Sequence, residues 1–139
     1  MISKSEGNLV LAKLDAGEDL FDSLLLLKKK YGIKSGYVVF GIGALKNFEL
    51  GYFNKKTGQY AKATYRQAHE LLALHGSIAE AEQSFHLHAA LGDSKHKVIG
   101  GHLFAGVADP LVELLVLKTR TKMIRKENKA TGLNELFFD

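Results

Sequence analysis

The stretch Phe85 to His102 reads FHLHAALGDSKHKVIGGH, and its three histidines are the residues of this chain best suited to chemistry. His86 and His88 are two apart in a segment of strand character. Alternate residues of a strand share a face, so both imidazoles point the same way. The loop GDSKHK is a turn signal, and a hairpin centred near Lys95 pairs His88 with His102, since both are equidistant from residue 95. Directly opposed residues have β-carbons ~4.5–5.5 Å apart. That is close enough for their rings to share one ion at bonds of ~2.0–2.1 Å.

The chain has no cysteine, so a metal here must be held by histidine and carboxylate. His86, His88 and His102, with an open fourth position, fit a divalent first-row ion, with zinc first and iron or nickel behind it. The competing arrangement has the three rings stacked on a sheet face and hydrogen-bonded to carbonyls, carboxylates or another subunit. Register decides between them, because a one-residue slip sends His102 to the opposite face. Gly100 and Gly101 leave out side chains beside the cluster and would let a backbone, a metal or a small ligand come close.

Other candidates carry weaker signals. His96 falls in the turn and is expected in solvent, while His69 and His75 are assigned to opposite faces of their strand. Glu113, in LVELLVL, shares a face with Leu111, Leu115 and Leu117, so its charge needs a partner if that face is buried. It could serve as a carboxylate behind a ligating histidine, or it could form an ordinary salt bridge or lie on an exposed edge. GIGALK, from Gly41 to Lys46, lacks the third glycine and the βαβ context of a dinucleotide fingerprint and reads as a glycine bend in a strand. No P-loop, nucleophile elbow or HExxH motif is present.

These residues must be positioned by a chain of 139 residues, 46% hydrophobic and 24% charged, which suits one domain, 1–139, with a basic C-terminal extension over about 118–139. NLVLAKLD suits a first strand, its apolar positions taken as Leu9, Leu11 and Leu14. A helix is expected over about 18–31: Leu20, Leu24 and Leu27 fall on one face, acidic residues open it, and Lys28, Lys29 and Lys30 close it in keeping with the helix dipole. SGYVVFGIGAL, a hairpin turning over Asn54–Gly58, HELLALHGSIAE, SFHLHAAL, VIGGHLFAGV and LVELLVLKTR read as strands. The sum is an α+β fold with a central, largely antiparallel sheet, this main helix and a minor one. The ending, with Leu133, Leu136, Phe137 and Phe138, is expected to dock on the domain or a neighbouring subunit.

The net charge is +4 and the pI about 9.2, which favours acidic partners. Lys118, Arg120, Lys122, Arg125, Lys126 and Lys129 form a basic segment that could contact phosphate, although such runs are more often solvated. No apolar run is long enough for a bilayer and no signal peptide is visible, so the expected location is the cytoplasm, without membrane contact.

The motifs GEDL (Gly17 to Leu20), GIGAL (Gly41 to Leu45), HELLALHGSI (His69 to Ile78), HLHAALGD (His86 to Asp93), VIGGHLFAG (Val98 to Gly106) and TGLNEL (Thr131 to Leu136) occur in the order typical of the plants and prokaryotes conserved (PPC) domain, which the chain resembles. The resemblance implies an α+β fold assembled as a homotrimer. It carries the family's histidine motif onto His86, His88 and His102 and its acidic residue of the last strand onto Glu113. The position before Gly76, often serine in relatives, is His75, which either adds a fourth ring or faces solvent. Plant relatives join the domain to an AT-hook that binds DNA. This chain has no Arg-Gly-Arg-Pro hook and resembles the stand-alone prokaryotic type.

Three functions follow as expectations. The first is a trimeric metal-binding domain, with a small-molecule binding role or an unnamed metal-dependent reaction as its extension; no nucleophile or dedicated base is evident, so a non-enzymatic role is favoured. The second is a DNA-binding or regulatory module, non-specific and weakened by salt. The third is a trimeric protein-interaction domain.

Overall fold

The computed structural model describes residues 1–81 and 85–139. In chain order the elements are β1 (Ile2–Glu6), β2 (Leu9–Asp15), α1 (Leu20–Tyr31), β3 (Ser35–Asn54), β4 (Gln59–Tyr65), β5 (His69–Ile78), β6 (Phe85–Gly92), β7 (Val98–Thr119), β8 (Met123–Asn128) and β9 (Leu133–Phe138). The expected helix is therefore present and the sheet is antiparallel. The minor second helix is not: α1 is the only helix among the described residues, and the C-terminal segment folds as the β8–β9 hairpin instead. Ser84, the first residue of the expected strand SFHLHAAL, lies outside the described residues.

α1 forms where local chemistry favours it. The Asp19 carboxylate accepts from the backbone N–H groups of Phe21 and Asp22 at 2.8 and 3.0 Å, capping orphan donors of the first turn. Gly32 ends the helix at φ 61°, with its N–H on the Lys28 carbonyl. Leu20, Leu24 and Leu27 are buried against the sheet, as their spacing requires.

Strand length is the main surprise. Segments expected as separate strands fuse into two long ones, β3 with 20 residues and β7 with 22. The seven-stranded sheet runs β1-β2-β7-β6-β5-β3-β4, and a further β7–β3 pairing closes β3, β5, β6 and β7 into a ring. Bulges and register shifts along β3–β7 let two such strands bend around the core. Phe48, Leu45, Leu74, Leu87, Leu91 and Leu103 fill the interior.

One local expectation changes, and a second holds for a different reason. In β2 it is Val10, Ala12 and Leu14 that are buried, whereas Leu9 and Leu11 are exposed; the strand's phase is set by its pairing with Val112, Leu114 and Val116 of β7. In β5, Leu72 is an extra residue between the pairs Leu71–Leu91 and Ala73–Ala90. An unbroken strand would put His69 and His75, six apart, on the same face. The bulge inverts the alternation, so His69 packs on Phe48 and Tyr65 while His75 is exposed on the other side.

Candidate metal centre

The β6–β7 hairpin has the register expected of a turn centred on Lys95: His88 pairs with His102 and Gly92 with Val98. The Asp93 carboxylate holds the turn, accepting from Lys95 N–H at 2.8 Å and Lys97 N–H at 2.9 Å. These bonds hold its carboxyl below the ordinary range, and His96 takes the left-handed conformation in the exposed loop. With no slip in the ladder, His102 reaches the face carrying His86 and His88.

The three rings converge on the outside of the ring of strands. Their candidate ligand atoms lie within 4.8 Å of one another, and His86 Nε2 and His88 Nε2 are 3.0 Å apart. Nitrogens bound to one tetrahedral ion at ~2.0–2.1 Å stand ~3.3 Å from each other, so modest ring rotations would complete a three-histidine site. His102 Nδ1 is buried without a hydrogen-bond partner. An orphaned nitrogen in such a cluster is the kind of group that an ion or a ligand satisfies. The donor set fits a divalent metal.

The surroundings favour the neutral form of His86 and His102. Burial, then the neighbouring His86 and His88, hold His102 down at about pKa 4. Burial and then Arg125 lower His86. Tyr60 and Phe104 lie against His102, with ring centroids 5.1 and 4.4 Å away, and Lys62 stands over Phe104 at 3.8 Å. Neutral imidazole is the form that binds metal, so this environment favours ligation near neutral pH.

The remaining candidates are placed differently. His75 is in register with His88 and shares its face, but it is exposed and outside the three-histidine group. Gly100 and Gly101 serve the strands rather than the rings: an added Cβ would lie 2.8 Å from the Ala89 carbonyl at Gly100 and 2.8 Å from the Gly51 carbonyl at Gly101. Glu113 is eleven residues further along β7, exposed, flanked in register by Lys13 and Ile42. Within one chain it is not beside the histidines.

Two contributors carry little sequence signal. Gly76 is one: a Cβ there would lie 1.9 Å from the His86 carbonyl oxygen, so its absence lets the backbone of His86 sit where it does. Glycine inside a strand pattern was the available hint. Arg125 is the other. The sequence offered it as a solvated cation or a possible phosphate contact, but it turns inward from β8, donating through Nη2 to Ser77 Oγ at 2.6 Å and through Nη1 to the Asn134 carbonyl at 3.1 Å. Of the other cations, Lys122 pairs with Asp139 at 3.0 Å, Lys126 stands 5.4 Å over the Phe137 ring, Arg120 and Lys129 are exposed, and Lys118 is half-buried.

Residues 1–120 match the sequence model of the Plants and Prokaryotes Conserved (PCC) domain. Among solved structures, a Bacteroides thetaiotaomicron protein provisionally assigned as DNA-binding is 31% identical with a TM-score of 0.91, covering 99% of this chain and 96% of that one. A metal-containing protein from Archaeoglobus fulgidus is 27% identical at TM-score 0.86, covering 99% of each chain. A PPC protein from Pyrococcus horikoshii is 31% identical at 0.80, covering 96% of this chain and 94% of that one. Bifunctional protein GlmU from a Synechococcus strain is 29% identical over 126 residues, 89% of this chain. The chain spans about one fifth of the length of that relative, 19%.

Proposed function

The chain belongs to the Plants and Prokaryotes Conserved domain family, and from that premise we propose that it is a trimeric metal-binding protein whose His86, His88 and His102 hold one divalent ion, zinc first. The observation that carries this reading is the convergence of three imidazoles, one with an orphaned nitrogen, in a group that contains no carboxylate. The metal-containing relative from Archaeoglobus fulgidus adds support. When bound, such an ion supplies Lewis acidity at an open coordination position. The protein's part is to orient the rings, exclude water with Tyr60 and Phe104, and shape the space in front of them.

Trimer formation is supported by an apolar outer face. Leu11 and Phe40 flank Leu115 in register, and Ile2, Leu11, Phe40 and Ile42 are 66%, 48%, 44% and 38% exposed. A contiguous exposed patch of this kind marks a contact surface. Glu113 and Lys13 lie opposite each other within it, a polar pair that could set the register of the contact.

Elemental analysis of protein purified without a metal-affinity tag tests the metal reading. About one divalent ion per chain, lost in His88→Ala, is expected; a content near zero, or one unchanged in His88→Ala, refutes it. A second reading, non-specific DNA binding through the basic C-terminal segment, is favoured by the provisional assignment of the Bacteroides relative. It requires binding of a fluorescent duplex that weakens steeply with salt and weakens further when Lys122 and Lys126 become alanine.

A further inference from the structure

The β8–β9 hairpin lies beyond the residues that match the family model and stands over the histidine face. Between them is a cavity of about 930 Å³ lined by Phe53, Tyr60, Phe85, Leu133, His86 and His102 among others, with Arg125 and Ser77 in its wall. Most of that lining is apolar. Its fixed positive charge is the Arg125 guanidinium, which bonds only neutral oxygens, Ser77 Oγ and the Asn134 carbonyl. Its Nε–H is buried and unpartnered.

Among the described residues, no carboxylate forms an ion pair with Arg125. Glu135 also lines the cavity, yet its carboxylate accepts from Asn128 Nδ2 at 2.9 Å and Thr131 Oγ1 at 3.0 Å. A half-buried guanidinium without a counter-ion, lining a largely apolar cavity, is incomplete as a structural element. Guanidinium geometry suits a carboxylate received on two N–H groups.

We propose that this cavity binds a small organic carboxylate, its anionic head on Arg125 and its apolar body against Phe53, Tyr60, Phe85 and Leu133. One fixed cation matches a monoanion, and the apolar wall requires a hydrocarbon or aromatic body. A further part rests on the metal reading: a divalent ion on the three histidines next to Arg125 makes three positive charges against the single Glu135 carboxylate of the lining, so an anion there is also favoured by the ion. The two parts separate experimentally, because the Arg125 contact does not need the metal.

Calorimetric titration with benzoate and with benzamide, its neutral counterpart, tests the proposal on protein as purified and after chelation. Saturable benzoate binding is expected, with benzamide at least tenfold weaker, the scale of one charge-assisted hydrogen bond. Arg125→Gln should weaken benzoate at least tenfold, while Arg125→Lys keeps part of the affinity. Chelation should weaken benzoate but leave the preference over benzamide. Equal binding of the two ligands, no saturable benzoate binding, or unchanged affinity in Arg125→Gln overturns the proposal; the first two comparisons need only the wild-type chain. Arg125-dependent benzoate binding in a protein that takes no metal supports this proposal and refutes the metal reading. A metal-loaded protein whose benzoate binding ignores Arg125 does the opposite.

Discussion

Acid should destabilise the metal-free protein through His102. An ordinary histidine titrates near 6.5, and burial with the adjacent His86 and His88 holds this one at about 4. The folded value is depressed, so between 6.5 and 4 the unfolded chain takes up a proton that the folded chain refuses. Stability is then complete above 6.5, falls as pH drops through the window, and levels below 4. The gap of about two and a half pH units, at about 1.36 kcal/mol each, sets a ceiling of roughly 3.4 kcal/mol. Solvent reaches part of the ring, so screening reduces this to about 1.5 kcal/mol. His86, lowered by burial and by Arg125, acts in the same direction. The assay is urea unfolding of chelated protein between pH 7.5 and 4.5, at fixed protein concentration, for wild type and His102→Gln. The wild type should lose about 1.5 kcal/mol more than the variant. Parallel pH curves for the two proteins, or a wild type that gains stability on acidification, would refute the reasoning.

Other perturbations reach the site and its supports from different sides. Gly76→Ala should cost about 3 kcal/mol or more by denaturant titration and lower metal content, since the new Cβ would meet the His86 carbonyl at 1.9 Å; Gly92→Ala, with its nearest atom at 3.5 Å, should fold normally. Zinc at a hundredfold excess over its dissociation constant should stabilise the wild type by about 2.7 kcal/mol, visible as a rise in Tm that is absent in His88→Ala. Asp19→Ala removes the cap of α1 and should cost about 1 kcal/mol in chemical unfolding. Leu11→Asp combined with Ile42→Asp should reduce the mass measured by light scattering from trimer to monomer.

What could be read without coordinates was local. α1 was legible because the spacing of Leu20, Leu24 and Leu27 and the acidic-to-basic order of charges lie within a few neighbouring residues. The His88–His102 pairing follows from the short GDSKHK loop, whose midpoint leaves the ladder little choice of register. Where the environment comes from distant strands, residue type was a poor guide. Leu9 and Leu11 are as apolar as Val10 and Leu14, and only pairing with β7 decides which pair is buried. The inverted faces of His69 and His75 come from the single extra residue Leu72, which leaves no mark in composition.

Arg125 shows the difference most clearly. In the chain it is one cation in a basic run, indistinguishable by charge from Lys122 or Lys126. The turn between β7 and β8 carries it back over β5, where Ser77, 48 residues away in sequence, accepts its hydrogen bond. Glu113 shows the converse: a carboxylate on the same strand as His102 is kept from it by the length of β7. Short-range pattern was enough for the helix, the antiparallel strands and the convergence of three histidines, because helical spacing, alternation and hairpin symmetry act over a few residues. Closure of the sheet, the face that each leucine presents, and the cavity that puts a guanidinium beside those histidines arise from contacts between distant segments, and these exist only once the chain has folded.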